Sequence, residues 1–360
     1  MLSGIRVLDL SRVLAGPLCT MLLGDLGADV LKVERRQVGD DTRGWGPPFD
    51  PRGESAYYLS VNRNKLSVAA DLDRPSDREL IASLIGDADV VVDNFRPGTL
   101  ERRGLLPEQL LRESPRLVWC TITGFGPESD RPGYDFVAQA ESGWMAITGE
   151  AHGAPMKVGV ALADVLAGQD AAIAILAALV GRDRHGAGRR IFVSLAGSAR
   201  AALVNVAQNA LVSGSDARRW GNAHPNLVPY QLFETADRPI VVAVGNDAQW
   251  REFARAVGLR DLAADRALAT NEGRVANRDR VVPVIEMRLR TDTASAWCTL
   301  LDSAGVPAGT VKSVLDVLRE VDASPLFGMP SAVGGRFRLP PPRLDEHGAL
   351  VRARGWDAFA

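Results

Sequence analysis

One aspartate stands at the mouth of a long apolar segment, with no histidine or lysine beside it to activate it. The stretch KVGVALADVLAGQDAAIAILAAL, residues 157–179, contains Asp164 and Asp170. An aspartate at the start of a helix is a favoured N-cap, because its carboxylate accepts a free backbone N–H. The same helix end favours an ionised carboxylate, which is already a nucleophile and needs no general base. Asp164 is therefore a candidate nucleophile as well as a candidate cap, and Asp170, on another helix face, is expected to be structural.

The sequence lacks the common catalytic motifs GxSxG, GxxxxGK[ST] and HExxH. The glycine-rich GFGPES at 124–129 follows a strand-like run, but it is not the dinucleotide fingerprint. The cysteines Cys19, Cys120 and Cys298 lie far apart with no histidine nearby. That spacing argues against a disulfide framework or a zinc site and favours a reducing compartment. We therefore expect neither a nicotinamide enzyme nor a metal centre.

The composition is that of an ordinary globular protein. The chain has 360 residues, 46% of them hydrophobic and 24% charged, with a formal net charge of -2. This charge gives no reason to expect a nucleic acid or a membrane surface as a partner. The longest apolar run, 171–180, is about half of what a bilayer requires, and the first residues do not read as a signal peptide. The expected location is the cytoplasm.

The first half of the chain alternates short apolar strands with helices. Such a pattern is typical of an α/β fold with a parallel sheet covered on both faces. A long helix is predicted from about Val165 to Gly181. The predicted strands are Ile5–Leu10, Asp29–Glu34, Asp89–Phe95 and Arg116–Thr123.

The pattern changes after about residue 215. Residues 229–247 contain two strand-like runs joined by a turn, which predicts an antiparallel hairpin. Helical patterns follow it, so a smaller α+β domain is expected over 215–320. The later stretch LPPPRLDEHG, at 339–348, is too rich in proline for regular structure.

Several blocks of the sequence resemble one family in the same order. They begin with SGIRVLDLSRVLAGPLCTMLLGDLGADVLKVERRQVGDDTRGW and include NRNKLSVAADL, VVDNFRPGTLERRGL, TGFGPESDRPGYDFVAQAESG, GVALADVLAG, GNAHPNLVPYQLF and GVPAGTV. Together they resemble the class III CoA-transferases, the CaiB/BaiF or formyl-CoA-transferase-like family, from residue 2 to about 330. The resemblance implies a Rossmann-like large domain over 1–214, a small domain over 215–320 and a C-terminal segment, 321–360, that returns to the large domain. It also implies an interlocked homodimer that uses coenzyme A as part of its substrate, without a metal or redox cofactor.

The resemblance also assigns roles to single residues. Asp164 falls on the position of the family's nucleophile, which attacks the thioester of an acyl-CoA. Arg35 and Arg102 match phosphate-contacting positions, and Arg36, Arg43 and Arg103 are further candidates. Other matched positions line the adenine and pantetheine path or lie close to the reacting groups: Val13, Ala15, Lys65, Asn94, Phe95, Arg96, Tyr134 and Asp135.

Three features bear on which branch of the family this chain follows. Tyr134 stands where the related α-methylacyl-CoA racemases have a histidine, and a phenol with a pKa near 10 suits proton transfer poorly. Leu14 stands where the formyl-CoA branch has a glutamine, which argues against oxalate and formate as substrates. The segment RRWGNAHPNLVPYQLF resembles the branch that acts on dicarboxylates such as succinate, and there His224 and Tyr230 could face the acceptor.

The sequence therefore favours a CoA-transferase and leaves two alternatives. One is a racemase or epimerase acting at the α-carbon of an acyl-CoA. The other is a protein that binds acyl-CoA and has lost turnover, against which the presence of Asp164 argues.

Overall fold

The computed structural model describes all 360 residues and divides into two compact units. The large unit comprises Met1–Met145, Lys157–Ser215 and Leu318–Ala360, and the small unit comprises Ala146–Met156 and Asp216–Val317. The ranges expected from sequence were 1–214, 215–320 and 321–360. The observed units differ from them chiefly at Ala146–Met156, which belongs to the small unit although the segments on either side of it in sequence belong to the large unit.

The chain forms nine strands and sixteen α-helices. The strands are β1 (Arg6–Asp9), β2 (Asp29–Arg35), β3 (Lys65–Ala70), β4 (Val90–Asp93), β5 (Val118–Thr123), β6 (Arg190–Ser194), β7 (Tyr230–Phe233), β8 (Ile240–Ala243) and β9 (Ala308–Thr310). The helices are α1 (Ala15–Asp25), α2 (Ala56–Leu59), α3 (Pro75–Gly86), α4 (Pro107–Glu113), α5 (Asp135–Glu141), α6 (Trp144–Ile147), α7 (Leu162–His185), α8 (Leu195–Ala201), α9 (Val204–Ser213), α10 (Asp247–Ala256), α11 (Arg260–Ala264), α12 (Asn271–Ala276), α13 (Arg278–Leu289), α14 (Ala294–Ser303), α15 (Val314–Glu320) and α16 (Gly348–Arg354).

A six-stranded parallel sheet organises the large unit. Its strand order is β3-β2-β1-β4-β5-β6, so the order reverses between β1 and β4. This arrangement confirms the predicted Rossmann-like α/β fold. In such sheets a crevice opens at the carboxyl ends of the strands where the order reverses, and ligands bind there.

Each face of the sheet is covered by its own hydrophobic cluster. Successive residues of a strand point to opposite faces, so Val7 packs into one cluster with α1 and α7, and Leu8 packs into the other with α3. Full burial of an aliphatic side chain of this size contributes about 1.5–3 kcal/mol. The near-continuous apolar strands are thus the residues that hold both layers of helices on the sheet.

Helix α7 is longer than the predicted range and packs closely on α1. Its buried face carries the small residues Ala163, Ala167, Gly168 and Ala171. A Cβ atom on Gly168 would lie 2.6 Å from the carbonyl oxygen of Ala15, so the two helices can approach this closely only with glycine there. By length and composition alone α7 could cross a membrane, but its buried face belongs to the core of the large unit.

The small unit contains a three-stranded sheet in the order β7-β8-β9. Strands β7 and β8 pair antiparallel, with Tyr230 opposite Ala243, which confirms the predicted hairpin. Trp250, Phe253 and Trp297 lie in its hydrophobic core. In the proline-rich stretch 339–348, no regular element begins before α16.

A buried arginine fastens the C-terminal segment to the large unit. Arg63 donates from Nε and Nη2 to both carboxylate oxygens of Asp25, at 3.0 and 2.6 Å. Its Nη1 donates to the carbonyl oxygens of Phe327 and Met329, at 2.8 and 2.9 Å. One guanidinium therefore neutralises a buried carboxylate and satisfies two carbonyls of the returning chain.

Replacing Arg63 by methionine should strongly destabilise the protein, because the Asp25 carboxylate would stay buried without its partner. The expected loss in the free energy of unfolding is about 3–5 kcal/mol, measured by urea denaturation. The control is Arg116→Met, which removes an exposed pair with Asp183 at 3.2 Å and should cost less than about 1 kcal/mol. Losses of equal size in the two variants would contradict this role for Arg63.

Candidate active site

A cavity of about 180 Å³ lies where the order of the parallel strands reverses. The loops that follow β1 and β4 meet there, as the strand order requires, and Asp164 from α7 reaches the same space. We call it the aspartate cavity. Its lining includes Arg12, Val13, Leu14, Ala15, Asp41, Asn94, Phe95, Arg96, Arg131, Tyr134 and Asp164.

A larger cavity of about 490 Å³ lies at the carboxyl ends of β2 and β3. We call it the arginine cavity, because five arginines line it: Arg12, Arg35, Arg36, Arg74 and Arg103. Arg12 and Phe95 line both cavities and thus stand between them. An anionic ligand with a long arm could occupy the two spaces together.

Asp164 lies in the first turn of α7, but it is not the cap of that helix. The N-cap is Ala161, and a carboxylate from α5 takes over the capping function. Asp135 accepts a hydrogen bond from the backbone N–H of Ala163 at 2.8 Å and one from Nε2 of Gln139 at 2.7 Å. The capping role considered for Asp164 is therefore wrong, and its carboxylate is left for another task.

Asp164 is half-buried, and its surroundings oppose its charge. Burial, together with the nearby carboxylate of Asp135, raises the pKa of Asp164 to about 7. A carboxylate with a pKa of about 7 is only about half ionised at neutral pH, so the ionised state expected from the helix N-terminus is opposed by burial and by Asp135. A group with such a pKa is typical of a functional site, because a purely structural carboxylate gains nothing from this placement.

Tyr57 is a neighbour of Asp164 that sequence reasoning missed. Burial, followed by the charges of Asp164 and Asp135, raises the pKa of the Tyr57 phenol to about 12. Its ring packs edge-on against Trp45, with the ring centroids 5.0 Å apart. The phenol is thus protonated at neutral pH and close enough to Asp164 for the charge of Asp164 to affect it. Tyr57 lies in α2, far before Asp164 in the chain, so no motif spacing in the sequence links the two residues.

The loop after β1 is held in an unusual conformation by two side chains. Val13 has φ 73°, in the left-handed region that a β-branched residue rarely adopts. Its backbone N–H donates to the carboxylate of Asp40 at 3.2 Å, and Asp40 pairs with the buried Lys32 at 3.0 Å. Asn94 accepts from the N–H of Arg12 and donates to its carbonyl, at 2.9 and 2.7 Å.

Most of the residues assigned by resemblance line one of the two cavities. Val13, Leu14, Ala15, Asn94, Phe95, Arg96 and Tyr134 line the aspartate cavity, and Arg35, Arg36 and Arg103 line the arginine cavity. Asn94 does so while it also clamps the backbone of Arg12. Asp135 acts instead through the first turn of α7.

Three of the assigned cations lie elsewhere. The ammonium of Lys65 is fully buried and donates to Asp9 at 3.0 Å, so it cannot line the pantetheine path as expected. Arg43 is committed to Glu34 and Glu54 at 2.8 and 2.6 Å. Arg102 is exposed and lines neither cavity, whereas its neighbour Arg103 lines the arginine cavity. In each case the sequence motif marked the right loop or strand without revealing which way the side chain points.

His224 and Tyr230 lie together in the small unit. Their ring centroids are 5.1 Å apart, and the N–H of His224 donates to the carbonyl of Tyr230 at 2.9 Å. The imidazole Nδ1 accepts from the N–H of Asn226 at 3.0 Å. Burial, followed by the charge of Arg278, lowers the pKa of His224. That these residues face the acceptor stays a prediction.

Comparison with known proteins identifies the family. The sequence matches CoA-transferase family III over residues 2–326. The chain belongs to this family. It is 41% identical to the succinyl-CoA:glutarate CoA-transferase of Mus musculus over 96% of this chain and 84% of that protein. It is also 41% identical to the succinate–glutarate CoA-transferase of Agrobacterium fabrum, over 98% of this chain and 95% of that one.

A solved structure shows the same fold. The crystal structure of a CaiB/BaiF family protein from Brucella suis superposes with a TM-score of 0.84 at 40% sequence identity, covering 98% of each chain. The family predicted from the sequence blocks is thus confirmed. The protein is an enzyme, a CoA-transferase that moves CoA from an acyl-CoA to a carboxylic acid.

The raised pKa of Asp164 predicts a dependence of stability on pH that Asp164→Asn should remove. The folded-state pKa of about 7 lies above the unfolded value of 3.8, so the folded protein loses stability as pH rises between these values. Above pH 7 the asparagine variant should be more stable than the wild type by up to about 4 kcal/mol. The difference should shrink steadily toward pH 4, as measured by urea denaturation across this range. A difference that does not change with pH would show that Asp164 is not forced to titrate near neutrality.

Proposed function

We propose that Asp164 is the covalent nucleophile of this CoA-transferase and that its acids are dicarboxylates of the succinate and glutarate size. The observation that carries the proposal is the position of Asp164. Asp164 lines a small, half-enclosed cavity at the switch point of the sheet, next to a cavity lined by five arginines. The two relatives described above support the choice of acids, because their names specify succinate and glutarate.

The two cavities fit the two ends of an acyl-CoA. Phosphate groups need cations, and Arg35, Arg36 and Arg103 line the arginine cavity. Each of them is paired with an aspartate in this structure, so a phosphate would share or replace that partner. The pantetheine arm would then pass Phe95, which lines both cavities, and bring the thioester to Asp164. Coenzyme A is in this proposal a substrate that is carried from one acid to the other.

The reaction then proceeds through alternating anhydrides and a thioester. The Asp164 carboxylate attacks the thioester carbonyl, which gives an acyl-aspartyl anhydride and CoA thiolate. The thiolate attacks the aspartyl carbonyl, which releases the donor acid and leaves an aspartyl–CoA thioester. The acceptor carboxylate attacks that thioester, giving a second anhydride and thiolate, and the thiolate captures the acceptor acyl group and frees Asp164. In each step the negative charge passes between a carboxylate and the CoA thiolate, and no proton is transferred.

The neighbours of Asp164 suit these steps. Each addition places negative charge on a carbonyl oxygen, and a donor aimed at such an oxygen typically contributes about 3–4 kcal/mol. The Tyr57 phenol, whose pKa is raised to about 12, stays protonated and can donate to that oxygen. The small, half-enclosed cavity limits the water that would hydrolyse the anhydrides.

Intact-mass spectrometry after incubation with succinyl-CoA tests the nucleophile. We expect a covalent adduct that hydroxylamine converts to a hydroxamate at Asp164 and that is missing in Asp164→Ala. Asp170→Ala is the matched control, because Asp170 lies on the same helix and its carboxylate accepts from Ser198 at 2.6 Å. It should keep the adduct. No adduct, with proton exchange at the α-carbon, would favour a racemase, and tight binding without either signal would favour an acyl-CoA-binding protein.

We also propose that the enzyme is a homodimer, with the chains interlocked, and that it acts in the cytoplasm. Large apolar side chains stay exposed on three elements of the large unit: Ile173 and Val180 on α7, Phe192 on the edge strand β6, and Leu211 and Val212 on α9. Exposed apolar surface of this kind marks an interface. The cysteines are free thiols, which supports a reducing location.

Light scattering after gel filtration should give the mass of two chains at every accessible concentration. Chains carrying two different tags, mixed after folding, should not form mixed dimers at low concentration, because interlocked chains separate only by unfolding. A concentration-independent monomer would contradict the dimer, and rapid subunit exchange would contradict interlocking.

A further inference from the structure

A dicarboxylate brings a second charge into the aspartate cavity. One carboxylate of the acid reacts at Asp164, and the other remains ionised in a space of about 180 Å³ that also contains Asp41. Removing a carboxylate from water without a partner costs several kcal/mol. The cavity must therefore supply a cation if it prefers dicarboxylates to acids with a single carboxylate.

Three arginines line the aspartate cavity, and two of them are poorly suited to this task. Arg131 is committed to Glu141, with Nη1 and Nη2 at 3.1 and 2.5 Å from its two oxygens, and it stacks over Phe125. Arg96 is exposed, so water screens its charge. Arg12 is the remaining cation, and it is only partly exposed.

The main chain of Arg12 is fixed on both sides. Asn94 holds its N–H and its carbonyl, at 2.9 and 2.7 Å. The next residue, Val13, is kept in the left-handed region by its bond to Asp40. A guanidinium on such a fixed base can discriminate between ligands, because little conformational freedom is lost when it binds.

The charge of Arg12 is only partly compensated. Its Nη1 donates to Asp41 at 3.0 Å, and the same carboxylate also pairs with Arg35. Two guanidinium groups thus share one carboxylate, which leaves one positive charge without a counter-ion in this group of three. The Nε–H of Arg12 is buried and has no acceptor. A buried donor without a partner is costly, so the Arg12 side chain is not fully satisfied by its present contacts.

We propose that Arg12 binds the second carboxylate of the acid and so determines the preference of this enzyme for dicarboxylates. The proposal rests on the function proposed above and adds a residue that selects the substrate. Asp41 holds the guanidinium in place when no acid is bound. Arg12 also lines the arginine cavity, so the competing role is a contact with a phosphate of CoA, and the experiment must separate the two.

The test compares two acceptors that differ only at the far end. Glutarate and its monoamide, glutaramate, have the same length, and the amide lacks the second charge. Both compete for the same succinyl-CoA in one reaction, so any effect on the donor cancels from the ratio of products. The wild type should prefer glutarate. Arg12→Gln should reduce that preference about 10- to 100-fold, the range of one charge-assisted hydrogen bond.

Two further variants make the result specific. Arg12→Lys keeps the charge but loses the planar fork, so it should retain part of the preference, and it serves as the readout if Arg12→Gln folds poorly. Arg131→Gln changes another arginine of the same cavity and should leave the ratio of the two products unchanged.

Two results would overturn the proposal. The first is a wild type that does not distinguish glutarate from glutaramate. The second is an unchanged ratio in Arg12→Gln, and if the rates with both acceptors also fall equally and the KM for succinyl-CoA rises, Arg12 is assigned to the phosphates. Each can occur while Asp164 still forms its adduct, so failure here is distinguishable from failure of the covalent mechanism.

Discussion

A group of buried charges beneath the carboxyl ends of β1 and β2 is the interaction on which the site depends. Lys32 and Lys65 are fully buried, and Asp9 lies between them, bonded to Lys65 at 3.0 Å and 4.0 Å from Lys32. Burial alone would lower the pKa of Lys32, but Asp9 and Asp40 raise it, so this ammonium stays charged. Burial lowers the pKa of Lys65 to about 8. Such groups are tolerated only where every charge has a partner in place.

This group of charges fixes the loop that forms the wall of the aspartate cavity. Asp40 is anchored by Lys32 and holds the N–H of Val13, and Lys32 also donates to the carbonyl of Ser11 at 2.9 Å. The left-handed conformation of Val13 costs about 1–3 kcal/mol, and it persists because these bonds oppose its relaxation. The strain places Val13, Leu14 and Ala15 along the cavity. The buried ion pairs therefore fix the backbone conformation of the loop that lines the aspartate cavity.

The second constraint is the close approach of α7 to α1. Ala163, Ala167 and Ala171 are fully buried, and Gly168 lies against the carbonyl of Ala15. These small residues bring the first turn of α7, and hence Asp164, to the loop after β1. The sequence pattern showed the small residues and the aspartate, but not why they occur together. The structure supplies the reason, because a larger side chain at 168 would push α7, and Asp164 with it, away from the loop after β1.

Sequence reasoning reached the family, the parallel sheet, the hairpin of the small unit and most of the cavity-lining residues. These follow from local patterns and ordered motifs. It failed where the outcome depends on the direction of a side chain or on contacts between distant segments. Lys65 lies in a matching motif, yet its strand points it into the buried charges. Asp164 acts on Tyr57 through space, and no periodicity in the sequence encodes an interaction between residues so far apart in the chain.

The raised pKa of Asp164 at first opposes the role of nucleophile that we propose for it, since the neutral acid does not attack a thioester. The explanation lies in the free energies of the proposed anhydride and thioester relative to the free carboxylate. As an anhydride or as a thioester, the aspartyl group carries no charge, so burial and the repulsion from Asp135 no longer act on it. The same surroundings that raise the pKa to about 7 therefore destabilise the free carboxylate relative to each acylated form. A more basic carboxylate is also a stronger nucleophile and a poorer leaving group, which keeps the intermediates populated until an acceptor arrives. In the proposed mechanism the substrate carboxylates bind beside arginines, whereas the charge of Asp164 is opposed by burial and by Asp135, and this asymmetry favours acylation of the enzyme.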